Sequence, residues 1–325
     1  MSRIKRFYKF LKKLAKSKLR LLTAVCLTLL FFSIPPRLIY SLPDLQPKHS
    51  PVRTIDLAIP KPKPYPINTT GIAPPYLSAK SAIVVDVKSK AVIYMKNPNE
   101  HLYPASTTKM MTALVAIDEY PLDHIASISS PLQEGQVMGL IPGEQITIKN
   151  LLYGLLIHSG NDAAQALADE DANGSADFIE KMNKKVKALG LTDTHFTNPT
   201  GLEDSKHYAS VHDLAIIGAE LMSRKELADM LIIKDLIVTD TTGKIKHQLK
   251  AINELLGVVK GLKGIKTGWT ESAGECFVSY TERDNHPIIT AVLGSFDRFG
   301  ETRQLIEWVY ANHQWQTIEI PPEPK

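Results

Sequence analysis

Three short groups of residues combine hydroxyl, amine and amide side chains in a way that could do chemistry. The first is Ser106-Thr107-Thr108-Lys109. On a helix, residues i and i+3 share a face, so this hydroxyl and this amine can come within hydrogen-bond reach. A serine hydroxyl becomes a good nucleophile when a base takes its proton, and a lysine with a lowered pKa can be that base. Alone the pattern is weak, because Ser2-Arg3-Ile4-Lys5 matches it too and Ser106 could simply cap a helix.

The other two groups offer a second hydroxyl and a receptor for a carboxylate. Ser159-Gly160-Asn161 interrupts a helical pattern, so its hydroxyl could relay a proton and its carboxamide could hold a substrate amide. All three residues are also ordinary turn formers. Lys266-Thr267-Gly268 lies in a β-type run, where a cation and a hydroxyl suit a carboxylate and the glycine permits close approach of a ligand. The alternative there is an edge strand with solvated side chains.

The elements that must position these groups can be read from hydrophobic periodicity and turn residues. The pattern predicts strands at both ends of the folded body with helices between them, which indicates an α+β fold with a mainly antiparallel sheet and segregated helices. The predicted elements are strands over 81–87 and 91–95, helices over 104–120, 147–169 (broken at 159–160), 175–190 and 211–222, strands within 263–295, and a helix over 301–310.

The three groups are informative together because of their order. They read S-x-x-K, S-x-N and K-T-G, separated by 53 residues (106 to 159) and 105 residues (161 to 266). This set is the signature of penicillin-recognising serine enzymes. Over about residues 78–312, the chain resembles the low-molecular-mass penicillin-binding proteins that are serine D-Ala-D-Ala carboxypeptidases, peptidase S11-like proteins. Further segments carry the resemblance: SAIVVDVKSKAVIYMKN, FTNPTGLEDSKHYASVHDLA, GIKTGWTESAGECFV and LGSFDRFGETRQLIEWVY.

This resemblance implies a penicillin-binding, serine β-lactamase-like fold, with an antiparallel sheet beside a helical subdomain. It also implies a role for each motif residue. Ser106 would be the acylated nucleophile, Lys109 its general base, and Ser159 the relay of a proton to the leaving D-alanine. Asn161 would hold the substrate amide.

The same resemblance assigns the carboxylate end of the substrate to the third motif. Lys266 and Thr267 would bind the terminal carboxylate, and Gly268 would let the substrate lie alongside the strand. The backbone N–H groups of Ser106 and Trp269 would form the oxyanion hole, with Trp269 standing where relatives often have His or Tyr. Asn253, Arg298 and Asp213 lie in segments that resemble those supporting the family's site, although ordinary ion pairing is the alternative for Arg298 and Asp213.

The implied activity is removal of the terminal D-alanine from peptidoglycan stem peptides that end in D-Ala-D-Ala, with β-lactams as covalent inhibitors. No cofactor or metal is expected, because the two cysteines, Cys26 and Cys276, form no Cys/His cluster. The alternatives are a D,D-endopeptidase, a β-lactamase, or a non-catalytic cell-wall-binding protein of the same fold. We find no convincing E-x-x-x-N motif between residues 161 and 266, which argues against efficient β-lactam turnover.

The N-terminal region has the pattern of an export signal that also serves as a membrane anchor. Residues 3–20 carry nine Lys/Arg and no Asp or Glu, and residues 21–34 carry no charge. A basic segment before an apolar one predicts export with the basic end kept in the cytoplasm. Because the net charge of the whole chain is +4, the remainder carries −5, which argues against nucleic-acid binding.

The predicted organisation follows from these segments. It comprises a basic cytoplasmic segment (1–20), a signal anchor (21–42), a Pro-rich linker (43–77), a catalytic domain (78–315) on the extracytoplasmic side of a bacterial cell membrane, and a tail (316–325). A retained anchor is favoured over a cleaved signal peptide because no small-x-small site follows, although the uncharged run of 14 residues is shorter than the ~20 that span a bilayer. A purely amphipathic surface helix does not fit, because residues 21–34 have no polar face.

Overall fold

The computed structural model describes residues 3–32 and 63–317. The chain divides into two compact units, residues 1–60 and 61–325. The described part of the first unit is one long helix, α1 (Arg3–Phe32), which joins the basic run to most of the apolar run. Within residues 3–32 and 63–317, none of the helices has the length and apolarity needed to cross a membrane. Residues 33–42 of the predicted anchor, 43–62 of the linker and 318–325 of the tail lie outside the described residues.

The second unit is organised around a five-stranded antiparallel sheet with the strand order β3-β2-β10-β9-β8. The strands are β1 (Tyr65–Asn68), β2 (Ser81–Asp86), β3 (Val92–Lys96), β4 (Ile125–Ser127), β5 (Gln145–Thr147), β6 (Asp235–Thr239), β7 (Lys246–Lys250), β8 (Leu262–Thr270), β9 (Gly274–Arg283), β10 (His286–Ser295) and β11 (His313–Gln316). The hairpin between β9 and β10 turns at Asp284 and Asn285, whose φ angles of 49° and 63° match the tight turns that such hairpins favour.

Helices cover both faces of this sheet. They are α2 (Lys109–Glu119), α3 (Ile148–Ile157), α4 (Asn161–Asp169), α5 (Ser175–Ala188), α6 (Val211–Ser223), α7 (Lys225–Met230) and α8 (Arg298–Asn312). On one face α6 lies close to the sheet, because Gly218 has no side chain to hold it away from Ile265 and Val278. On the other face α8 buries a separate apolar cluster that includes Phe277 and Leu305.

The α+β prediction is confirmed, and several details differ from the predicted elements. The predicted helix over 104–120 begins as a 3₁₀ turn, Ala105–Thr108, and becomes α-helical only from Lys109. Helix α8 begins at Arg298 rather than 301, because the Asp297 side chain caps it by accepting a hydrogen bond from the Gly300 N–H.

Three small two-stranded sheets were not predicted: β4–β5, β6–β7 and β1–β11. The last one joins a segment of the predicted Pro-rich linker to the end of the described chain, with Tyr65 opposite Gln316. Strands of three to five residues leave little periodicity to read.

Candidate active site

The S-x-x-K group forms the floor of the site. Ser106 sits on the 3₁₀ turn, directly after Ala105, whose φ of 47° is unusual for a non-glycine residue. Lys109, the first residue of α2, is fully buried. Its Nζ lies 2.8 Å from Ser106 Oγ, 2.6 Å from Asn161 Oδ1 and 2.7 Å from the Thr200 carbonyl oxygen.

The surroundings of Lys109 favour a neutral amine. Burial, together with the nearby Lys266, holds the pKa of Lys109 well below its usual value. A neutral amine has two N–H donors and one lone pair. Its donors match the two carbonyl-type oxygens, of Asn161 and Thr200, and its lone pair can accept the hydroxyl proton of Ser106. The geometry therefore suits proton abstraction from Ser106.

The S-x-N group approaches this pair from the break between α3 and α4. Ser159 has a φ of 63°, which marks the sharp change of chain direction there. Its Oγ accepts a hydrogen bond from Lys266 Nζ at 2.7 Å. Asn161 is fixed from two sides, because its Nδ2 donates to the Glu134 carbonyl oxygen and its backbone N–H donates to that of Gln136.

The K-T-G group lies on β8, beside the 3₁₀ turn. Lys266 is buried, and burial together with the nearby Arg298 lowers its pKa to about 7. Gly268 is required sterically, because a Cβ there would lie 2.8 Å from the backbone nitrogen of Ser106. The Arg298 guanidinium donates to the Gly268 carbonyl oxygen at 2.8 Å, which adds a second cation beside the strand.

An open cavity of about 780 Å³ brings the three groups together. Its lining includes seven residues singled out from the sequence: Ser106, Ser159, Asn161, Thr267, Gly268, Trp269 and Arg298. The amine groups of Lys109 and Lys266 reach the hydroxyls of two of these residues. The Trp269 side chain is 62% exposed at the rim.

Two sequence candidates lie apart from this cavity. Asn253 lines a separate small cavity with Lys266 and Thr267, and its buried Nδ2 has no hydrogen-bond partner among the described residues. Asp213 is not among the lining residues; its carboxylate accepts hydrogen bonds from the Asp193 N–H and the Thr194 hydroxyl, both at 2.9 Å. It holds a loop rather than facing the cavity.

Sequence reasoning missed the residues that position the motifs. The Asp162 carboxylate accepts hydrogen bonds from the backbone N–H groups of Met138, Gly139 and Leu140. It therefore holds the loop that carries the carbonyl partners of Asn161. The only signal in the sequence was the position of Asp162, directly after S-x-N.

A second positioning contact lies beneath the nucleophile. The Thr197 N–H donates to His207 Nδ1, so the proton of the neutral ring is on Nε2, 2.8 Å from Thr108 Oγ1. Burial lowers the pKa of His207 to about 4, which keeps the ring neutral near pH 7. This contact ties the segment that contains Thr200 to the S-x-x-K turn.

The described residues contain no group of three or more His, Cys, Asp or Glu side chains that could hold a metal ion. What the cavity offers is a serine beside a buried amine of lowered pKa, a second serine beside a second lysine, and a guanidinium near a strand edge. These groups suit nucleophilic attack on a carbonyl next to a bound carboxylate.

Comparison with known proteins agrees with this geometry. A sequence profile of the peptidase S11 family, D-alanyl-D-alanine carboxypeptidase, matches residues 68–297. The D-alanyl-D-alanine carboxypeptidase DacF of Bacillus subtilis is 34% identical over 251 residues, which cover 73% of this chain and 63% of that protein. DacA of Haemophilus influenzae is 32% identical over 268 residues, covering 78% of this chain and 67% of that protein. The chain thus spans about two thirds of the length of these relatives.

Solved structures show the same fold. The Streptomyces K15 DD-transpeptidase superposes with a TM-score of 0.70 at 28% identity, covering 74% of this chain and 100% of that one. Penicillin binding protein 5 from Haemophilus influenzae gives a TM-score of 0.68 at 32% identity, covering 74% of this chain and 73% of that one. Because the profile covers most of the chain and the fold and motif geometry agree with it, the chain belongs to the D-alanyl-D-alanine carboxypeptidase family, peptidase S11.

Proposed function

We propose that this chain is a serine D-Ala-D-Ala carboxypeptidase that removes the terminal D-alanine from peptidoglycan stem peptides through an acyl-enzyme on Ser106. The observation that carries the proposal is the buried Lys109 amine, 2.8 Å from Ser106 Oγ, whose burial lowers its pKa and so favours the neutral form. The activity, substrate and inhibitors implied by the relatives come to this chain as part of the proposal.

Substrate binding follows from the cations and the hydroxyl beside β8. The terminal carboxylate of the peptide binds Lys266 and Thr267, with the Arg298 guanidinium adding positive charge near Gly268. Asn161 holds the amide of the penultimate residue. A fixed carboxylate places the scissile carbonyl beside Ser106, and this positioning accounts for much of the expected rate.

The chemical step uses the two Ser–Lys pairs in turn. Lys109 takes the Ser106 proton as Oγ attacks the carbonyl carbon of the penultimate D-alanine. The N–H groups of Ser106 and Trp269 stabilise the oxyanion, each such donor being worth about 3 kcal/mol. As the C–N bond breaks, Ser159, hydrogen-bonded to Lys266, gives its proton to the leaving D-alanine nitrogen and regains one from the Lys109 ammonium, which carries the proton taken from Ser106. Water then hydrolyses the ester on Ser106, and β-lactams acylate the same oxygen.

The test measures D-alanine release from a pentapeptide ending in D-Ala-D-Ala, using the full chain in detergent. The wild type should release D-alanine and gain the mass of one β-lactam, and Ser106→Ala should do neither. Ser223→Ala, which removes an exposed hydroxyl on α6, is the matched control and should behave as wild type. If the wild type shows neither D-alanine release nor acylation, the proposal is wrong and the remaining interpretation is a non-catalytic cell-wall-binding protein.

A related reaction is open to the same acyl-enzyme. A D,D-endopeptidase would cut a crosslinked peptide dimer by the same steps, with the second stem peptide as the leaving group. Comparing the dimer and the pentapeptide as substrates in one assay separates the two activities. Faster cleavage of the dimer than of the pentapeptide would show that the main activity is that of an endopeptidase and not of a carboxypeptidase.

The location belongs to the proposal as well. We propose that residues 21–42 tether the catalytic unit to the cell membrane, with the catalytic unit on the extracytoplasmic side. The support is the basic run before an uncharged run in the sequence. N-terminal sequencing of the membrane-purified protein tests this arrangement: a start at Met1 or Ser2 is expected, and a start beyond residue 40 contradicts it.

A further inference from the structure

Helix α1 separates its side chains into two faces over residues 4–20. At 3.6 residues per turn, consecutive residues are rotated by about 100°, so positions 7 and 9 point about 160° apart. One face carries Ile4, Phe7, Tyr8, Phe10, Ala15 and Leu19, and the opposite face carries Lys5, Arg6, Lys9, Lys12, Lys13, Lys16 and Arg20. Lys18 is the exception among the cations of residues 4–20, because it falls within the apolar face, between the directions of Phe7 and Ile4. Its long aliphatic stem can pack along that face while the ammonium extends towards water.

The apolar face is open. Ile4 is 80% exposed, Phe7 64%, Tyr8 72%, Phe10 59% and Leu19 65%. Single exposed apolar residues are common on protein surfaces, but a continuous stripe that contains three aromatic rings marks an interaction surface. The stripe is distinct from the uncharged run of residues 21–34, because only residues 4–20 have a polar face opposite the apolar one.

The positive charge of residues 3–20 limits which kind of partner can bind this part of α1. Residues 3–20 carry nine cations and no acidic residue, so the partner must be strongly anionic. A nucleic acid would satisfy the basic face and leave the rings in water. An anionic lipid surface satisfies both faces, since headgroups pair with the lysines while the rings enter the boundary of the acyl chains.

We propose that residues 4–20 of α1 lie flat in the surface of an anionic membrane, with Phe7 and Phe10 directed into the lipid and Lys9 and Lys16 directed towards the aqueous headgroup layer. The contact is additional to the tether of residues 21–42 and does not depend on the reaction at Ser106. It holds residues 4–20, and not the whole of α1, along the membrane surface through an electrostatic attraction that salt weakens.

The test compares one probe at two positions of the full chain. An environment-sensitive fluorophore is attached to a single cysteine introduced by Phe7→Cys or by Lys9→Cys, both in a Cys26→Ser background. Cys276 is buried and therefore does not react in the folded protein. The proteins are added to vesicles of phosphatidylcholine, alone or mixed with phosphatidylglycerol, and quenching by iodide is measured.

On the mixed vesicles, the probe at position 7 should become several-fold less quenched than the probe at position 9. On phosphatidylcholine alone, both probes should stay equally quenched, even if residues 21–34 bring the protein to the vesicle. High salt should abolish the difference.

Three outcomes would overturn the proposal: equal quenching at both positions on the mixed vesicles, a difference that is independent of phosphatidylglycerol, or the same protection by soluble heparin or DNA without lipid. A composition-conserving variant, Phe7→Lys with Lys9→Phe, provides the matched control. Two proteins are compared, both carrying the probe at residue 10 through Phe10→Cys. The probe should be protected on the mixed vesicles when residues 7 and 9 are unchanged, and the exchange should remove that protection.

These measurements separate the inference from the proposed function. Vesicle binding is read without any substrate, and D-alanine release is read in detergent. Failure of either one leaves the other standing.

Discussion

At the scale of single residues, the proposed mechanism requires opposite protonation states of the two buried lysines in the free protein. Lys109 must be neutral to accept the Ser106 proton, and burial favours that form. Lys266 must be charged to bind a carboxylate, yet burial and Arg298 lower its pKa to about 7. In the proposed mechanism, the substrate carboxylate supplies negative charge beside Lys266 and should raise the pKa of Lys266 again.

The pH dependence of acylation follows from these two lysines. The second-order rate constant for a carboxylate-bearing β-lactam should fall at low pH, as Lys109 becomes protonated, and should fall again as the pH rises above about 7, where Lys266 loses its charge. Lys266→Arg keeps the charge at high pH, so the alkaline decline should disappear in that variant. An alkaline decline of the same midpoint in both proteins would contradict the assignment. Stopped-flow measurements across the pH range provide the comparison.

Gly268 gives the second prediction at this scale. In Gly268→Ala the new Cβ would lie 2.8 Å from the Ser106 nitrogen and 3.1 Å from the Pro104 carbonyl oxygen, so β8 and the 3₁₀ turn must separate. We expect acylation to slow by roughly 100-fold, because misplacement of catalytic groups by about 1 Å has that effect.

A glycine at a distance serves as the control for Gly268→Ala. Gly190 has a φ of +72°, and within the described residues, its own atoms and its two chain neighbours aside, no heavy atom lies within 4 Å of the position that a Cβ would take, so Gly190→Ala introduces backbone strain without a clash. It should lose about 1 kcal/mol of stability and keep its acylation rate. Equal rates for Gly268→Ala and the wild type would contradict the steric argument.

At the scale of elements, a loop held by α4 completes the site. Asp162 binds three consecutive N–H groups of residues 138–140, and the same loop provides the Glu134 carbonyl oxygen that holds Asn161. Asp162→Asn replaces one acceptor oxygen by a donor that faces N–H groups. We expect a loss of about 2 kcal/mol in unfolding free energy, since a charge-assisted acceptor is removed from buried donors.

The kinetics of Asp162→Asn show whether Asp162 also positions Asn161 or only stabilises the fold. KM for the pentapeptide should rise with the loss of a fixed Asn161, even at temperatures where the variant is fully folded. Asp169→Asn, an exposed residue on the same helix, should change neither quantity. An unchanged KM in folded Asp162→Asn would show that the loop only stabilises the fold. Denaturant titration and steady-state kinetics give both readouts.

The sheet contains buried threonine hydroxyls that make no hydrogen bond within the described residues. Thr290, on β10, is fully buried, and its Oγ1 has no hydrogen-bond partner within the part of the chain that the structure describes. Thr112 is equally buried, but its hydroxyl donates to the Pro199 carbonyl oxygen at 2.6 Å. Thr290→Val should be neutral or stabilising by about 1 kcal/mol, whereas Thr112→Val should destabilise by about 1–3 kcal/mol. Destabilisation by both to the same extent would indicate an unrecognised partner of Thr290, and urea denaturation measures the difference.

The elements also show what the sequence could predict. The β2–β3 hairpin and α5 were predictable, because alternation and helical spacing are local patterns. The three motifs lie on the expected kinds of element, so their convergence on one cavity could be predicted, whereas the roles of their residues stay predictions. The contribution of Asp162, Thr200 and His207 was not readable, because each acts through contacts across tens of residues or through a backbone carbonyl that carries no side-chain signature.

At the scale of the whole catalytic unit, the two ends of its described chain close one end of the sheet. Strand β1 pairs with β11, and the Trp315 indole N–H donates to the buried Asp86 carboxylate at 2.8 Å. Trp315 also stacks on His286 with ring centroids 4.3 Å apart. Asp86 ends β2 and His286 begins β10, while the site lies near Cys276, opposite Gly268 at the other end of the strands.

This arrangement predicts a difference between two N-terminal truncations. A chain that begins at Lys61 keeps β1, whereas one that begins at Gly71 loses it and leaves β11 with an unpaired edge. The shorter chain also loses the hydrogen bond from the Thr70 hydroxyl to Asn312 Oδ1. It should melt several degrees lower and aggregate more readily, since ~1 kcal/mol corresponds to a few degrees for a domain of this size.

The acylation rate per folded molecule should be the same for the two truncated chains, because β1 and β11 lie at the end of the sheet away from Ser106. A slower acylation rate in the chain that begins at Gly71 would show that the pairing of β1 with β11 affects the site around Ser106. Equal melting temperatures would show instead that β1 adds nothing to stability. Calorimetry and titration of the acylated fraction, on the same samples, decide between these outcomes.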